Sequence, residues 1–550
     1  MSLQPQAIPP VPEETSRVVH AAFPKGNRYM RMRDELGVFF SDQAFAHLYP
    51  HCGHAAQTPW RLALITIMQF AENLSDRQAA EAVRARIDWK YALSLELTDT
   101  GFDFSVLSEF RDRLRASGAE QQLLEIMLQA FQQKGLLKAH GRQRTDSTHV
   151  LAKVRDLTRL ELIGETLRHT LNTIAKVEPD WLRAQVPDEW YDRYGKRLEE
   201  AQFPKTPPEW ETLASKMGAD GFRLLDAIYA DETPTPIRAL VAVETLRQVW
   251  LQQFYAPTSA IQLRATKDSP PGALRIRSPQ DLEARYSAKR STEWTGYKVH
   301  LTESCDDFMP RLLTHVETTE ATTADQEAIP RIHQALKAKE RAPHQHIVDQ
   351  GYTSAHLLVH SQQGFGIDLL SPVARNSGWQ AKAKDGFDLA HFEIDWKRKV
   401  VRCPNHKRSH LWTPGKDSYG KPIIHIEFKR SVCLKCPMRS QCTRSKEQPR
   451  NLTIKVQEEY QALEAARERQ KTEEFKQAYA IRAGIEGTIA QGVRSFDLRQ
   501  CRYIGLSKAH FQHIATAAAI NLVRILAWLE GIPLAKTRRS HFAKLATANG

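Results

Sequence analysis

The stretch "GRQRTDSTHV", residues 141–150, sets an aspartate inside a run of threonine, valine and basic side chains. The run has the length and composition of a strand, yet Asp is disfavoured in strands. An aspartate at such a place usually serves as a cap, a turn residue or an ion-pair partner. Asp146 therefore poses a question that the surrounding chain must answer.

Strand signals return further along. "EWTGYKVHLTES" (293–304) alternates around Tyr297, Val299 and Leu301, and "MPRLLTHVETTEA" (309–321) supplies a second strand across the acidic turn "CDD". This pattern predicts a hairpin. "HQHIVDQGY" (344–352) has an apolar core, Ile347 and Val348, that ends at Asp349; "TSAHLLVHSQQ" follows as a helix and "IDLLSPV" (367–373) as a short strand. A strand–helix–strand unit implies parallel pairing. In such sheets reactive groups collect at the carboxyl ends of strands, where Asp349 falls.

Residues 30–140 read as helical. "LSDRQAAEAVRARIDWKYALSL" opens with Ser75 three residues before Gln78, a capping-box spacing, and Leu74, Ala79, Val83 and Ile87 follow at helical intervals. In "FSVLSEFRDRLRASG", Ser105 is the expected cap and Gly118 the stop. Arg77, Arg84, Arg86, Arg111, Arg113 and Arg115 on these helices fit either a helix-turn-helix-like DNA reader or solvated arginines on a bundle. Residues 1–29 read as a Pro-rich disordered lead-in without a signal peptide. Residues 156–275 form a second helical block punctuated by "VEPDW", "QVPDEW", "KTPPEW" and "ETPTP". No apolar run approaches the roughly 18–20 residues that span a bilayer. The last helix, "KAHFQHIATAAAINLVRILAWLEG", is expected to be buried, and residues 531–550 to form a flexible basic tail.

The formal net charge is +13, and its distribution is uneven. Residues 397–450 hold 15 Lys/Arg against three acids (Asp417, Glu427 and Glu447), a formal +12. Such a patch costs self-repulsion that a polyanion relieves. DNA or RNA is the expected partner, with Lys407, Arg408, Lys429 and Arg430 as phosphate contacts. The same block contains Cys403, Cys433, Cys436 and Cys442, four of the seven cysteines. The spacing Cys-x29-Cys-x2-Cys-x5-Cys suits one tetrahedral structural Zn²⁺, with His406 or His410 able to replace a thiolate. An iron–sulfur cluster is the rival. Clustered cysteines in so large a chain point to a reducing compartment, hence a cytoplasmic protein, rather than a disulfide scaffold.

Residues 455–500 are again helical. In "EEFKQAYAIRAGIEGTIAQGVRSF", Tyr479, Arg482, Glu486 and Ala490 recur at three- and four-residue intervals on one helical face. Gly484 and Gly487 flank Glu486, and each costs about 1 kcal/mol in a helix interior. A close backbone approach would explain that cost. Here Asp146 finds a context. "RTDSTHV", "IVDQGYTS" and "YAIRAGIEGT" resemble the three signature segments of insertion-sequence DDE transposases. Tyr-x2-Arg-x3-Glu is the signature of the group related to insertion-sequence family four, and the overall layout looks most like insertion-sequence family 1182.

The resemblance implies an α/β fold: a ribonuclease-H-like core, a mixed sheet flanked by helices, with an all-helical N-terminal domain and insertions. The core would comprise residues 141–155, 276–395 and 451–530. Residues 30–140 would bind DNA, 156–275 would be a helical insertion, and 396–450 a basic, metal-binding insertion. Asp146, Asp349 and Glu486 become catalytic ligands of two Mg²⁺ or Mn²⁺ ions, the hard cations that carboxylates select. Tyr479 and Arg482 match the DNA-contacting part of the signature. Its lysine falls on Val493, leaving Arg494 beside it, or Arg499 nearby, for that contact. The implied activity is hydrolysis at the element's ends followed by strand transfer to target DNA. Terminal inverted repeats and target DNA are the implied partners, with a homodimer or higher oligomer on nucleoid DNA and no membrane. A nuclease that cuts without joining, and a DNA-binding protein that has lost catalysis, are the alternatives.

Overall fold

The computed structural model describes residues 1–196, 204, 206–255, 261–383 and 385–533. Its first 140 residues are helical, with α1 (Pro59–Ala71) and α2 (Gln122–Gln133) at the centre. Residues 1–29 are not a disordered lead-in. The helix Glu13–Ala22 buries Thr15 and Val19, Thr15 donates to Leu95 O at 2.9 Å, and Ser2 N donates to His54 O at 2.6 Å. Apolar burial and long-range hydrogen bonds outweigh the Pro-rich composition. Ser75 and Gln78 do form a capping box. Ser105 does not cap: Asp103 accepts its backbone N–H at 2.9 Å, while Gly118 follows the helix end with φ +66°.

The six arginines of these helices are engaged inside the chain. Arg111 is buried against Asp76, Arg86 bridges Glu72 and Asp88, Arg84 pairs with Glu81, and Arg115 with Asp112. Arg77 lies over Phe104 and Arg113 over Tyr49. Arg111 and Arg86 are thus used in packing within the bundle, while Arg77 and Arg84 make their contacts on its exposed face.

The central sheet contains β1 (Arg142–Leu151), β2 (Arg285–Lys289), β3 (Thr292–Ser304), β4 (Leu313–Glu320), β5 (Gln345–Ile347) and β6 (Asp368–Leu370). Its order is β2-β3-β1-β5-β6, with β4 also pairing the outer edge of β3. β3 is antiparallel to β1, β2 and β4, whereas β5 is parallel to β1 and β6. The chain is thus a mixed α/β protein. β2 takes the Thr292–Gly296 part of β3 and β4 the Tyr297–Glu303 part. The handover occurs at Gly296, φ +153°, where a Cβ would collide with Val150 O. β3 is long and mostly buried because both faces are covered. On one side, α3 (Asp325–Ala338) and α4 (Ala355–Phe365) share an apolar cluster with Val348, Tyr352 and Leu369. On the other lie α5 (Gly484–Ser495) and α6 (Leu506–Leu529).

α6 joins the sheet to the N-terminal bundle. It packs on β4 and on α1 and α2, so the bundle and this face of the sheet share one core. Polar side chains set its register: Leu313 N donates to Asn521 Oδ1 at 2.7 Å, Asn521 Nδ2 returns a bond to Leu313 O at 2.8 Å, and His513 Nδ1 meets Thr318 Oγ1 at 2.9 Å. Contrary to the sequence reading, α6 has the length and composition of a membrane span, with mean hydropathy 1.2 over the best window. That window is 72% buried within the fold, as a core helix would be.

The segment 156–275 contains the helices Arg159–Val177, Pro207–Tyr229 and Val241–Gln253 around their own apolar cluster. Trp190 and Trp250 are buried there and donate to Asp220 and Gly218 O. Most of the basic tail, residues 534–550, lies outside the described residues.

Candidate active site

β1 presents Arg144, Asp146 and Thr148 on one face, because side chains alternate along a strand. Each meets the segment 481–499. Arg144 donates to Ile481 O, Asp146 Oδ2 accepts from Arg482 Nη2 at 2.7 Å, and Thr148 Oγ1 accepts from Arg499 Nε at 2.8 Å. The helix expected across 473–496 is broken here. An α-helix ends at Ala480, a 3-10 turn spans Ile481–Ala483, and α5 begins at Gly484. Tyr479, Arg482 and Glu486 consequently sit on three successive elements, and Arg482 and Glu486 still meet at i,i+4 spacing.

Arg482 gathers the three acids. Besides Asp146, its Nη2 lies 3.9 Å from Asp349 Oδ2, and its Nη1 lies 2.9 Å from Glu486 Oε1. Asp349 follows β5, and its Oδ1 accepts from Gly351 N at 2.9 Å, which turns the chain away from the sheet. Asp146 is buried, whereas the Glu486 side chain is 64% exposed. Burial pushes the Asp146 carboxyl up to about 6, with the Asp349 charge adding to it and Arg482 and the Ser147 N–H opposing it. Burial also opposes the Arg482 cation, but Asp146 and Glu486 hold it above its ordinary value. Tyr479 stacks on Phe475 at 5.6 Å between ring centroids and 9° between planes.

Further polar side chains underlie these acids. Tyr352 is fully buried, its hydroxyl 2.7 Å from His300 Nδ1. Ser147 Oγ lies 3.3 Å from Asp325 Oδ1, which accepts from Lys298 Nζ at 3.1 Å. Asp325 stands in the first turn of α3, just after the N-cap Ala324, and points toward β1 and β3. Arg494 is exposed in the last turn of α5, and Val493 packs against the core.

The cysteine block is a separate small unit. β7 (Glu393–Asp395) pairs β8 (Val400–Arg402), and β9 (Leu411–Lys416), β10 (Pro422–Glu427) and β11 (Asn451–Lys455) form an antiparallel sheet. Cys403, Cys433, Cys436 and Cys442 line one cavity of about 30 Å³ with Phe387, Phe392 and Phe428. Burial and the neighbouring thiols push Cys442 up to about 11. His410 Nδ1 is 3.0 Å from Glu427 O and does not line the cavity, nor does His406. Lys407, Arg408, Lys429 and Arg430 are exposed around it.

Among the described residues, no three Cys, His, Asp or Glu side chains form a group ready to hold a metal ion. Around Asp146 the reason is plain: a guanidinium already stands between the carboxylates. The tetrahedral zinc site expected at the cysteines is likewise not preformed, although the four thiols share one cavity.

Two stretches of the chain match families of transposase domains. Residues 402–526 match the family described as Transposase DDE domain, a span that includes the four cysteines, Tyr479, Arg482 and Glu486. Residues 17–113, in the N-terminal helices, match Transposase domain (DUF772). Together they support an insertion-sequence DDE transposase. No curated protein and no solved structure matches the chain.

Proposed function

We propose that this protein is a DDE transposase that hydrolyses the ends of its element and transfers the new 3′-hydroxyls to target DNA. One observation carries the reading: acids at positions 146, 349 and 486 converge on the single Arg482 cation. The strand order supports a ribonuclease-H-like core, with β4, β3, β1, β5 and β6 in succession and only β5 and β6 parallel to β1. Placement in insertion-sequence family 1182 rests on the resemblance of the overall layout of the chain. The core would be 141–155, 276–395 and 451–530, interrupted by the insertions 156–275 and 396–450.

A carboxylate cluster that draws in a guanidinium also suits metal cations. Asp146, Asp349 and Glu486 would hold two Mg²⁺ or Mn²⁺ ions, whose chemistry when bound is to activate the attacking oxygen and stabilise the leaving one. The chain's own residues prepare that site. Asp146 is kept largely from water by burial, Asp349 is fixed by the Gly351 N–H, and Glu486 remains exposed toward incoming DNA. Arg482 neutralises the acids in the absence of DNA and, with Tyr479, would turn to phosphate when DNA arrives. Arg494, Arg499 and the basic block around Lys407, Arg408, Lys429 and Arg430 would track the backbone. The four-cysteine cavity would close on one Zn²⁺, since thiolates select that ion.

The deciding experiment incubates the protein and Mg²⁺ with DNA carrying the inverted repeats that flank its gene. Cleavage at the repeat ends with joining to a second duplex supports the reading. Cleavage without joining makes it a nuclease, and binding without cleavage a DNA-binding protein. A homodimer or higher oligomer on the paired ends is the expected assembly, in the nucleoid-containing cytoplasm.

A further inference from the structure

Glu303 is fully buried on β3, directly opposite Arg144 in the antiparallel register with β1. Its Oε1 accepts from Arg144 Nε at 2.6 Å. Its Oε2 accepts from Thr488 Oγ1 on α5 at 2.5 Å and from Arg524 Nη1 on α6 at 2.9 Å. Arg524 closes the ring, donating to Thr488 Oγ1 at 2.7 Å, Gln491 Oε1 at 2.9 Å and Arg311 O at 2.9 Å. Arg144 completes the reach by donating to Ile481 O, the carbonyl just before Arg482. One carboxylate thus ties together β1, β3, α5, α6 and the 3-10 turn.

Burying a carboxylate with two guanidiniums is costly, and well-packed apolar side chains of similar volume are often at least as stable. Stability alone is therefore a weak reason for this cluster. Its location offers a better one. Two residues of the site flank its contact points: Arg482, which holds the acids, follows Ile481, and Glu486, one of those acids, lies two positions before Thr488. Gly484 belongs to the same device. A Cβ there would collide with the Arg144 guanidinium, so the glycine lets the start of α5 lie directly against Arg144. Gly487 has no such neighbour within 4 Å.

We propose that Glu303 is a positioning residue: through Arg144, Thr488 and Arg524 it sets where Arg482 and Glu486 stand relative to Asp146. The cluster touches none of the reacting atoms and acts only by fixing the broken helix against β1. This inference rests on the transposase reading for its catalytic consequence, but its structural part can be tested separately.

Thr488→Val removes the hydroxyl at nearly constant volume and leaves Glu303 paired with both Arg144 and Arg524. The expected result is single-turnover cleavage about tenfold slower, because small misplacement of reacting groups is expensive. DNA affinity and thermal midpoint should stay close to wild type, and Thr488→Ser should restore the rate. Arg144→Lys, which keeps the charge but loses the fork that spans Glu303 and Ile481 O, should reproduce the defect. Amide hydrogen exchange should rise at residues 481–487 in both variants while β1 and α6 stay protected. Unchanged exchange at 481–487 in both variants overturns the proposal, whether or not the wild type cleaves DNA. A rate loss that merely follows the unfolded fraction, or that Thr488→Ser fails to rescue, overturns it as well. If the wild type itself does not cleave, the transposase reading fails, and raised exchange still supports the brace.

Discussion

Arg482 Nη2 lies 2.7 Å from Asp146 Oδ2, bridging residues 336 positions apart in the chain. The same guanidinium reaches Glu486 and Asp349, so one cation offsets three acids: one in the middle of β1, one just after β5 and one in the first turn of α5. Arg482→Ala would leave those acids facing one another. Without divalent ions it should destabilise the protein by about 2 kcal/mol, a partly exposed fraction of the usual cost of orphaning a buried charge. Added Mg²⁺ should restore more stability to the variant than it adds to the wild type. Urea titrations with EDTA and with Mg²⁺ measure both; equal Mg²⁺ effects would show that Arg482 does not share the metal's place.

Asp146→Asn, Asp349→Asn and Glu486→Gln should each abolish cleavage while DNA binding persists, since each removes a ligand charge from the proposed site. A filter-binding assay beside a cleavage assay separates the two effects. Substantial cleavage by any one variant would remove that residue from the site.

Affinity for DNA should fall steeply with salt if the exposed block at 397–450 displaces counterions. Changing Lys407, Arg408, Lys429 and Arg430 to Glu should weaken binding to all sequences alike and flatten the salt slope by roughly one per lost contact. An unaltered slope would mean that this block faces something other than DNA.

Purified protein should carry about one tightly held Zn²⁺ per chain by elemental analysis, the count expected of a single four-thiol site. Cys436→Ser should release it, whereas mild chelation should strip the catalytic ions first and reversibly. Iron with a visible absorption band would change the metal but keep the module. Metal-free, fully active protein would leave four half-buried thiols with no ligand role.

Acid should destabilise the fold. Burial pushes His300, His333 and His510 down to about 4 and His513 down to about 3. The unfolded chain, with histidines near 6.5, binds more protons than the folded one between those values. This contribution is complete above pH 6.5 and lost as pH falls toward 4. Asp146, raised to about 6, and Asp42, also raised by burial, act oppositely by favouring the folded state at lower pH. Against them, His149, His169, His315 and His346 are pushed down by burial as well. Urea midpoints at pH 7 and pH 5 should differ by several kcal/mol in stability, and His513→Gln should reduce the difference. Equal midpoints would refute the assignment of neutral buried histidines.

Short-range rules read much of this protein from its sequence. The Ser75–Gln78 capping box, the hairpin across "CDD", the strand that ends before Asp349 and the helix after it depend on residues within a few positions of one another. Motif spacing could likewise name Asp146, Asp349 and Glu486 as candidates. Tertiary structure alone decided the rest. The Pro-rich first residues fold because other helices cover Val19, and the arginines of the N-terminal bundle are spent on Asp76, Glu72 and aromatic rings that lie elsewhere in the chain or on neighbouring helices. The helix through Glu486 breaks at Ile481–Ala483, where Arg144 takes the Ile481 carbonyl and presses on Gly484. Asp325, at the start of α3, reaches Lys298 and Ser147 on the sheet. In each case a charge or an apolar face was satisfied by a partner remote in sequence, and periodicity carries no information about which remote partner that will be.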